Sequence, residues 1–127
     1  MTLLAKRKER SIVPRMYYIT TAIDYTNGPP HIGHAYEKVL ADVLARWHRM
    51  KGEEVYFLTG VDQHGQKVQQ TAEKLGITPQ EHVNNITGQF LALWDRLGIS
   101  NDGWASTTDP RHKACVQKIL TDLKDKG

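Results

Sequence analysis

The sequence predicts an α/β fold: an open domain with a parallel sheet, of which the chain holds a first and incomplete part. Two short apolar runs, at residues 16–20 and 55–59, have the composition of buried strands, and a long amphipathic segment separates them. Strand, helix and strand over about 45 residues have the length of a βαβ unit, whose strands pair in parallel. Further helical segments follow, whereas a parallel sheet needs more than two strands and cover on both faces. The fold is therefore predicted to be incomplete.

The segment between the two predicted strands begins with a loop and continues as a helix. Residues 27–30, Asn-Gly-Pro-Pro, break regular structure after the first strand. The helix that follows ends near Lys51, before Gly52. Its apolar residues recur at helical spacing and form one stripe: Tyr36, Val39, Leu40, Val43, Leu44 and Trp47. Such a stripe is expected to dock on another part of the structure.

Two helices are predicted after the second strand. A weaker helix follows the polar turn at residues 60–65 and ends near Gly76. Thr78 is expected to cap the next helix, with Pro79 in the first helical position. The helical period of that segment continues to Gly98.

The last part of the chain is predicted to hold a short strand and a final helix. The strand is expected near Trp104, and Asp109 with Pro110 opens the helix. The apolar residues of this helix share one face: Val116, Ile119, Leu120 and Leu123. If the packing partners of the helices lie outside the chain, four large residues should be exposed and prone to association: Trp47, Phe90, Trp94 and Leu120.

Composition narrows the class of protein. With 127 residues the chain is long enough for one domain with a core but short for a multi-domain enzyme. No apolar run approaches the roughly 20 residues that cross a bilayer, so no membrane association is expected. Cys115 is the single cysteine, which excludes an internal disulfide and cannot by itself build a zinc site. A reducing, cytoplasmic location is therefore expected.

Basic residues are concentrated at the N-terminus. The formal net charge is +3, but residues 1–15 hold five basic residues and one acidic residue, so the remainder carries about −1. We therefore divide the chain into a basic tail, residues 1–15, and a near-neutral domain, residues 16–127. The tail is expected to be a solvated terminus, with contact to RNA phosphates as the alternative.

Polar residues follow both predicted strands. His31 and His34 lie at the start of the first helix, and Asp62 and His64 lie in the turn after the second strand. Ligands of open α/β domains bind beyond the carboxyl ends of the strands, so these four side chains are predicted to converge. A helix N-terminus presents unpaired N–H groups and a positive dipole end, so paired histidines there suit a triphosphate. Taken singly, each residue also has a structural explanation, since an aspartate after a strand commonly caps a helix.

Two segments of the chain resemble one enzyme family. Residues 17–36, YYITTAIDYTNGPPHIGHAY, are similar to the signature opening of class I aminoacyl-tRNA synthetases, and within that class to methionyl-tRNA synthetases. Residues 57–65, FLTGVDQHG, resemble the motif at the second strand of the same family. Shorter similar segments lie at residues 41–42, 45–49 and 107–112. The similarity runs from about Met16 to the end of the chain.

The resemblance implies ATP-dependent activation of methionine to methionyl-adenylate, followed by transfer to tRNA(Met). It implies a Rossmann-like nucleotide-binding domain, with ATP as a substrate accompanied by Mg²⁺. By similarity, His31 and His34 would be catalytic and would contact the ATP phosphates. Gly33 would let the adenine lie close to the backbone. Asp24 departs from the pattern of some relatives, and no role is assigned to it.

The resemblance also implies a methionine site. Ile23 and Tyr25 would line the pocket for the thioether, and Asp62 would receive the ammonium group. His64 would not contact the ligand itself but would hold in place the residues that do. No metal ligands and no zinc site are implied in this chain.

Other parts of such enzymes are absent from the sequence. It holds no lysine- and serine-rich loop similar to Lys-Met-Ser-Lys-Ser, no cysteine-bearing zinc insertion and no anticodon-binding domain. Residues 16–127 are therefore expected to be the first part of the catalytic domain, and aminoacylation by the chain alone is expected to be weak or absent. A fragment is the favoured explanation, followed by a free-standing relic and by a split enzyme completed by a second polypeptide.

Two other functions are weighed against this interpretation. A small nucleotidyltransferase can use the same paired-histidine motif, but such an enzyme keeps its entire sheet within a short chain. A free-standing ATP- or tRNA-binding module would bind nucleotide without methionine-dependent turnover.

Overall fold

The computed structural model describes residues 16–127, and the predicted basic tail at residues 1–15 lies outside them. Within the described residues, strands and helices follow in the order β1 (Tyr17–Thr20), β2 (Asp24–Tyr25), α1 (Ile32–Met50), β3 (Val55–Asp62), α2 (Gln66–Leu75), α3 (Pro79–Leu97), β4 (Gly103–Ser106) and α4 (Pro110–Lys126). The predicted α/β class is confirmed. None of the helices in this part of the chain combines the length and the apolar composition needed to cross a bilayer.

β3 is the central strand of a parallel sheet. β1 pairs with the first half of β3. β2 pairs with its last two residues and β4 with residues 58–61, so Val61 has Asp24 on one side and Ser106 on the other. Because a strand has two edges, β1 and β2 share one edge of β3 and β4 occupies the other. β3 also runs three residues past the predicted strand, to Asp62. The polar composition of that end predicted a turn, but pairing with β2 and β4 keeps it extended.

α1 packs on the sheet through its small and polar residues. Ala41 and Ala45 contact Phe57 of β3, and Lys38 and Asp42 are buried on the same face. The predicted apolar stripe lies elsewhere on the helix, with exposed fractions from 40% to 71%: Tyr36, Val39, Leu40, Val43, Leu44 and Trp47. The described elements thus leave this stripe uncovered, because α1 faces the sheet with its other residues, Lys38, Ala41, Asp42 and Ala45.

α3 completes the core on the same face of the sheet. Ile86, Phe90 and Trp94 pack against Val61 of β3. Phe90 is 0% and Trp94 is 3% exposed. The prediction that these two aromatic residues form exposed surface is therefore wrong, because their packing partner β3 lies within the chain.

The predicted ends of three helices are confirmed. Thr78 caps α3, accepting a hydrogen bond from the Glu81 N–H at 3.1 Å. α2 ends at Gly76 and α3 at Gly98, both in the left-handed conformation. Asp109 caps α4, whose residues are exposed along its whole length. Its apolar face is therefore as exposed as the stripe of α1.

Candidate active site

The polar residues singled out in the sequence follow the carboxyl ends of the parallel strands. The chain leaves β1 at Thr20, forms the short β2, and then enters α1 through His31. β3 ends at Asp62, and β4 ends one residue before Thr107. This is the sheet edge at which open α/β domains bind their ligands.

His31 and His34 cap the first turn of α1 reciprocally. Nδ1 of His31 accepts a hydrogen bond from the Gly33 N–H, and Nδ1 of His34 accepts one from the His31 N–H, both at 3.1 Å. The two rings stack with their centroids 3.8 Å apart. Since both Nδ1 atoms accept, the neutral rings carry their protons on Nε2. Each histidine therefore keeps one N–H donor free of the capping bonds.

Burial favours the neutral form of His34. Its ring packs edge-on against Phe90 of α3, with the centroids 5.0 Å apart. Burial lowers the pKa of His34 below its ordinary value of 6.5, and the neighbouring His31 and Lys38 act in the same direction, while Asp24 and Glu37 oppose them. The neutral ring preserves the capping bond, because protonation of Nδ1 would remove its acceptor.

Gly33 lies under the ring of His31. A Cβ at this position would lie 3.0 Å from Cε1 of His31, so any larger residue would press on that ring. The glycine thus leaves room for the conformation in which His31 caps the helix.

Asp62 and His64 form a second group with Thr107. Oδ1 of Asp62 accepts hydrogen bonds from the His64 N–H at 3.2 Å and from the Thr107 hydroxyl at 3.3 Å. The imidazole Nε2 of His64 lies 3.2 Å from the carbonyl oxygen of Thr107. Asp62 is therefore held in place while remaining only half-buried.

β2 brings the predicted methionine-binding residues beside Asp62. Tyr25 pairs with Asp62 in the sheet, and the next residue, Thr26, donates its backbone N–H to the Asp62 carbonyl oxygen at 3.0 Å. Ile23 precedes β2 and is 41% exposed. The hydroxyl of Tyr25 lies against Gly65, where a Cβ would collide with it. Tyr25 thus lies opposite Asp62 in the sheet, with Ile23 two residues before it in the chain.

The four predicted site residues form two separate pairs at the ends of the strands. His31 stacks with His34, and Asp62 bonds to His64. Among the hydrogen bonds of the described residues, none joins one group directly to the other. They are linked through β2, since Tyr25 pairs with Asp62 in the sheet and Asp24 accepts a hydrogen bond from Lys38 of α1, the helix that carries His34. The roles assigned to these residues stay predictions.

Sequence reasoning missed a buried ion pair between the two groups. Lys38 of α1 and Asp24 of β2 are joined by a hydrogen bond of 2.8 Å, and their side chains are 0% and 2% exposed. The signal available in the sequence was a lysine on the helix face that carries Ala41 and Ala45. A search for apolar periodicity passes over that face.

A second buried polar residue, Gln63, was also missed. Its side-chain amide donates to the Thr87 hydroxyl at 3.0 Å, its carbonyl oxygen accepts from the Thr108 hydroxyl at 2.5 Å, and its backbone N–H donates to the Thr107 hydroxyl. Gln63 therefore fixes the turn between Asp62 and His64 to α3 and to the segment after β4. Within residues 16–127, no three His, Cys, Asp or Glu side chains are arranged to hold a metal ion.

Comparison with known sequences identifies the family. The family described as tRNA synthetases class I (M) matches residues 17–127. The methionine–tRNA ligase of Streptomyces coelicolor is 49% identical over 114 residues, which are 89% of this chain and 21% of the relative. That of Bacillus subtilis is 50% identical over 111 residues, which are 87% of this chain and 17% of the relative. The chain thus spans about a fifth of the length of these curated relatives.

A solved structure gives the same result. Mycobacterium tuberculosis methionyl-tRNA synthetase in complex with methionyl-adenylate superposes with a TM-score of 0.75 at 42% identity, covering 77% of this chain and 19% of that one. Together with the observed fold and the family match, this structural similarity shows that the chain holds part of the family's catalytic domain. The chain belongs to the class I tRNA synthetases of the methionine type, and its α/β fold is part of their Rossmann-like catalytic domain.

Proposed function

We propose that this chain carries the part of a methionine–tRNA ligase that binds the ATP phosphates and methionine. The observation that supports it best is the pair of stacked histidines at the start of α1, each with its Nε2 donor free of the capping bonds. The complete enzyme would activate methionine with ATP and pass it to tRNA(Met) in the cytoplasm.

The histidines suit the charge that develops during activation. A carboxylate oxygen of methionine attacks the α-phosphorus of ATP, a new P–O bond forms, and the bond to pyrophosphate breaks. Negative charge grows on the leaving pyrophosphate, where hydrogen-bond donors would stabilise it together with the Mg²⁺ expected to accompany ATP. The Nε2–H groups of His31 and His34, together with the N-terminus of α1, would supply such donors. In comparable sites, losing one donor costs about 3–4 kcal/mol of transition-state stabilisation.

The residues around β2 suit the amino acid. The carboxylate of Asp62 would pair with the ammonium group of methionine, and Ile23 with Tyr25 would contact its side chain. Asp62 keeps a second carboxylate oxygen, Oδ2, that makes none of the hydrogen bonds described above, while Oδ1 is held by His64 and Thr107. ATP would thus bind at the histidine pair and methionine beside Asp62, both at the same edge of the sheet.

Methionine-dependent exchange of pyrophosphate into ATP tests this function. We expect the purified chain to bind ATP, and any exchange to require methionine and to be lost in a His31→Asn/His34→Gln variant. These replacements keep capping acceptors, so the variant should stay folded. ATP binding without exchange would reduce the chain to a nucleotide-binding part of the site. Failure of a folded chain to bind either ligand would contradict the proposal.

A further inference from the structure

The ammonium group of Lys38 is the most enclosed charge among the described residues. Its side chain is 0% exposed, and Nζ donates three hydrogen bonds: to the carbonyl oxygen of Ala22 at 3.0 Å, to Asp24 at 2.8 Å and to Glu37 at 3.0 Å. Of these acceptors, Ala22 lies in the connection between β1 and β2, and Asp24 is the first residue of β2. Lys38 therefore binds that connection to α1.

Glu37 completes the attachment from the neighbouring position of α1. Its carboxylate accepts a hydrogen bond from the backbone N–H of Ala22 at 3.0 Å. Both backbone polar groups of Ala22 are therefore held by α1, the N–H by Glu37 and the carbonyl oxygen by Lys38. The next residue along the chain is Ile23, which the proposed function places against methionine.

The same helix carries the histidines. Lys38 follows His34 by four residues, so the two side chains leave α1 on the same face, one turn apart. We propose that Lys38 is a positioning residue: it fixes the Ala22–Asp24 segment against α1 and so sets the methionine-binding residues relative to His34. The part of this inference that concerns ligands rests on the proposed function.

The cost of burying this ion pair indicates that it does more than stabilise the fold. Removing two charges from water is costly, and apolar residues of similar volume often replace a buried pair without loss of stability. Oδ2 of Asp24 is also buried, and it has no hydrogen-bond partner in the part of the chain that the structure describes. Burial raises the pKa of the Asp24 carboxyl, although the Lys38 ammonium partly offsets this. An arrangement of this cost is better explained by the geometry it imposes on residues 22–24.

The test replaces the pair without leaving a single buried charge. The double variant Lys38→Met/Asp24→Val is compared with Lys38→Gln/Asp24→Asn, which can restore a neutral hydrogen bond, and with the control Lys51→Met. Lys51 forms an exposed ion pair with Glu53 at the end of the same helix. Amide hydrogen exchange of Ala22 reports on the anchoring, and the Phe57 amide in β3 reports on the fold.

We expect exchange at Ala22 to accelerate by about tenfold or more in Lys38→Met/Asp24→Val, with Phe57 unchanged. Methionine affinity should fall by about tenfold while ATP affinity changes less than about twofold, because only the methionine side loses its preorganised geometry. Lys38→Gln/Asp24→Asn should recover part of both effects, and Lys51→Met should show neither.

Two results would overturn the inference. Unchanged exchange at Ala22 would mean that Glu37 alone holds the segment, and an equal loss of methionine and ATP affinity would mean a purely structural role. If the unmodified chain binds neither ligand, the proposed function fails together with the ligand part of the inference. The exchange data then still decide whether Lys38 anchors the segment.

Discussion

His31 and His34 each use Nδ1 to accept a backbone N–H from the first turn of α1, so their rings are fixed by the helix they cap. The usual capping residues are short side chains with an oxygen acceptor. Two imidazoles in that role gain a second property, because the ring nitrogen opposite the capping bond is a donor. Capping and ligand binding thus use different atoms of the same two side chains.

Two replacements of His31, one that can cap a helix and one that cannot, should separate helix capping from ATP binding. His31→Ala is expected to lower the free energy of unfolding by about 0.5–2 kcal/mol, whereas His31→Asn, a good N-cap, should leave it nearly unchanged. Both variants should lose ATP affinity, because neither has the Nε2 donor. Chemical denaturation and ATP titration measure the two effects, and full ATP affinity in His31→Asn would contradict the assignment of that donor.

The lowered pKa of His34 predicts a pH dependence of stability. The unfolded chain takes up this proton near the ordinary value of 6.5, whereas the folded chain takes it up at a lower pH. Stability should therefore fall as the pH drops below that value, until His34 in the folded chain is also protonated. NMR titration of the His34 ring gives its pKa directly. Comparison of unfolding curves with His34→Gln isolates its contribution, and identical pH profiles would contradict the prediction.

Asp62→Asn should weaken methionine binding selectively. The asparagine keeps an oxygen that can accept from His64 and Thr107, so the local fold should persist. Loss of the charge should lower methionine affinity by about 1.5–3 kcal/mol, the range for hydrogen bonds to charged groups. A methionine analogue without the amino group is the control, since its binding should not distinguish the two proteins. Unchanged methionine affinity would remove Asp62 from the site.

Gly60→Ala should separate β4 from β3. A Cβ on Gly60 would collide with the carbonyl group of Ala105, whose carbon would lie 2.7 Å away. Overpacking of this kind costs about 1–3 kcal/mol, and it would move Thr107 away from Asp62. The matched control is Gly28→Ala, since nothing lies within 4 Å of a Cβ at Gly28. Equal stability of the two variants in urea denaturation would count against the β3–β4 pairing.

Two neighbouring positions of α1 test which face of the helix packs on the sheet. Ala45 is 0% exposed against β3, whereas Val43 is 56% exposed. Ala45→Leu should therefore destabilise the chain by about 1–3 kcal/mol, while Val43→Gln should change its stability by less than about 0.5 kcal/mol. Thermal unfolding of both variants checks the difference. If Val43→Gln were the more destabilising change, the apolar stripe of α1 would be the face that packs on the sheet.

The sequence by itself determined the features that depend on neighbouring residues. Thr78 with Pro79, Gly76 and Asp109 mark helix ends, because capping and left-handed residues act within one turn. His31 and Asp62 were found because each follows a strand in a recognisable motif. Such signals are local, and the structure shows the helix boundaries where they were expected.

Only the tertiary structure decided which side chains are buried and which polar groups meet. The apolar stripe of α1 does not pack on the described sheet, because Ala41 and Ala45, on another face of the helix, contact Phe57 instead. The pairing of Lys38 with Asp24 joins residues 14 positions apart through the sheet, and no local pattern specifies it. Burial and long-range pairing depend on the separation of packed elements, and that separation exists only once the chain has folded.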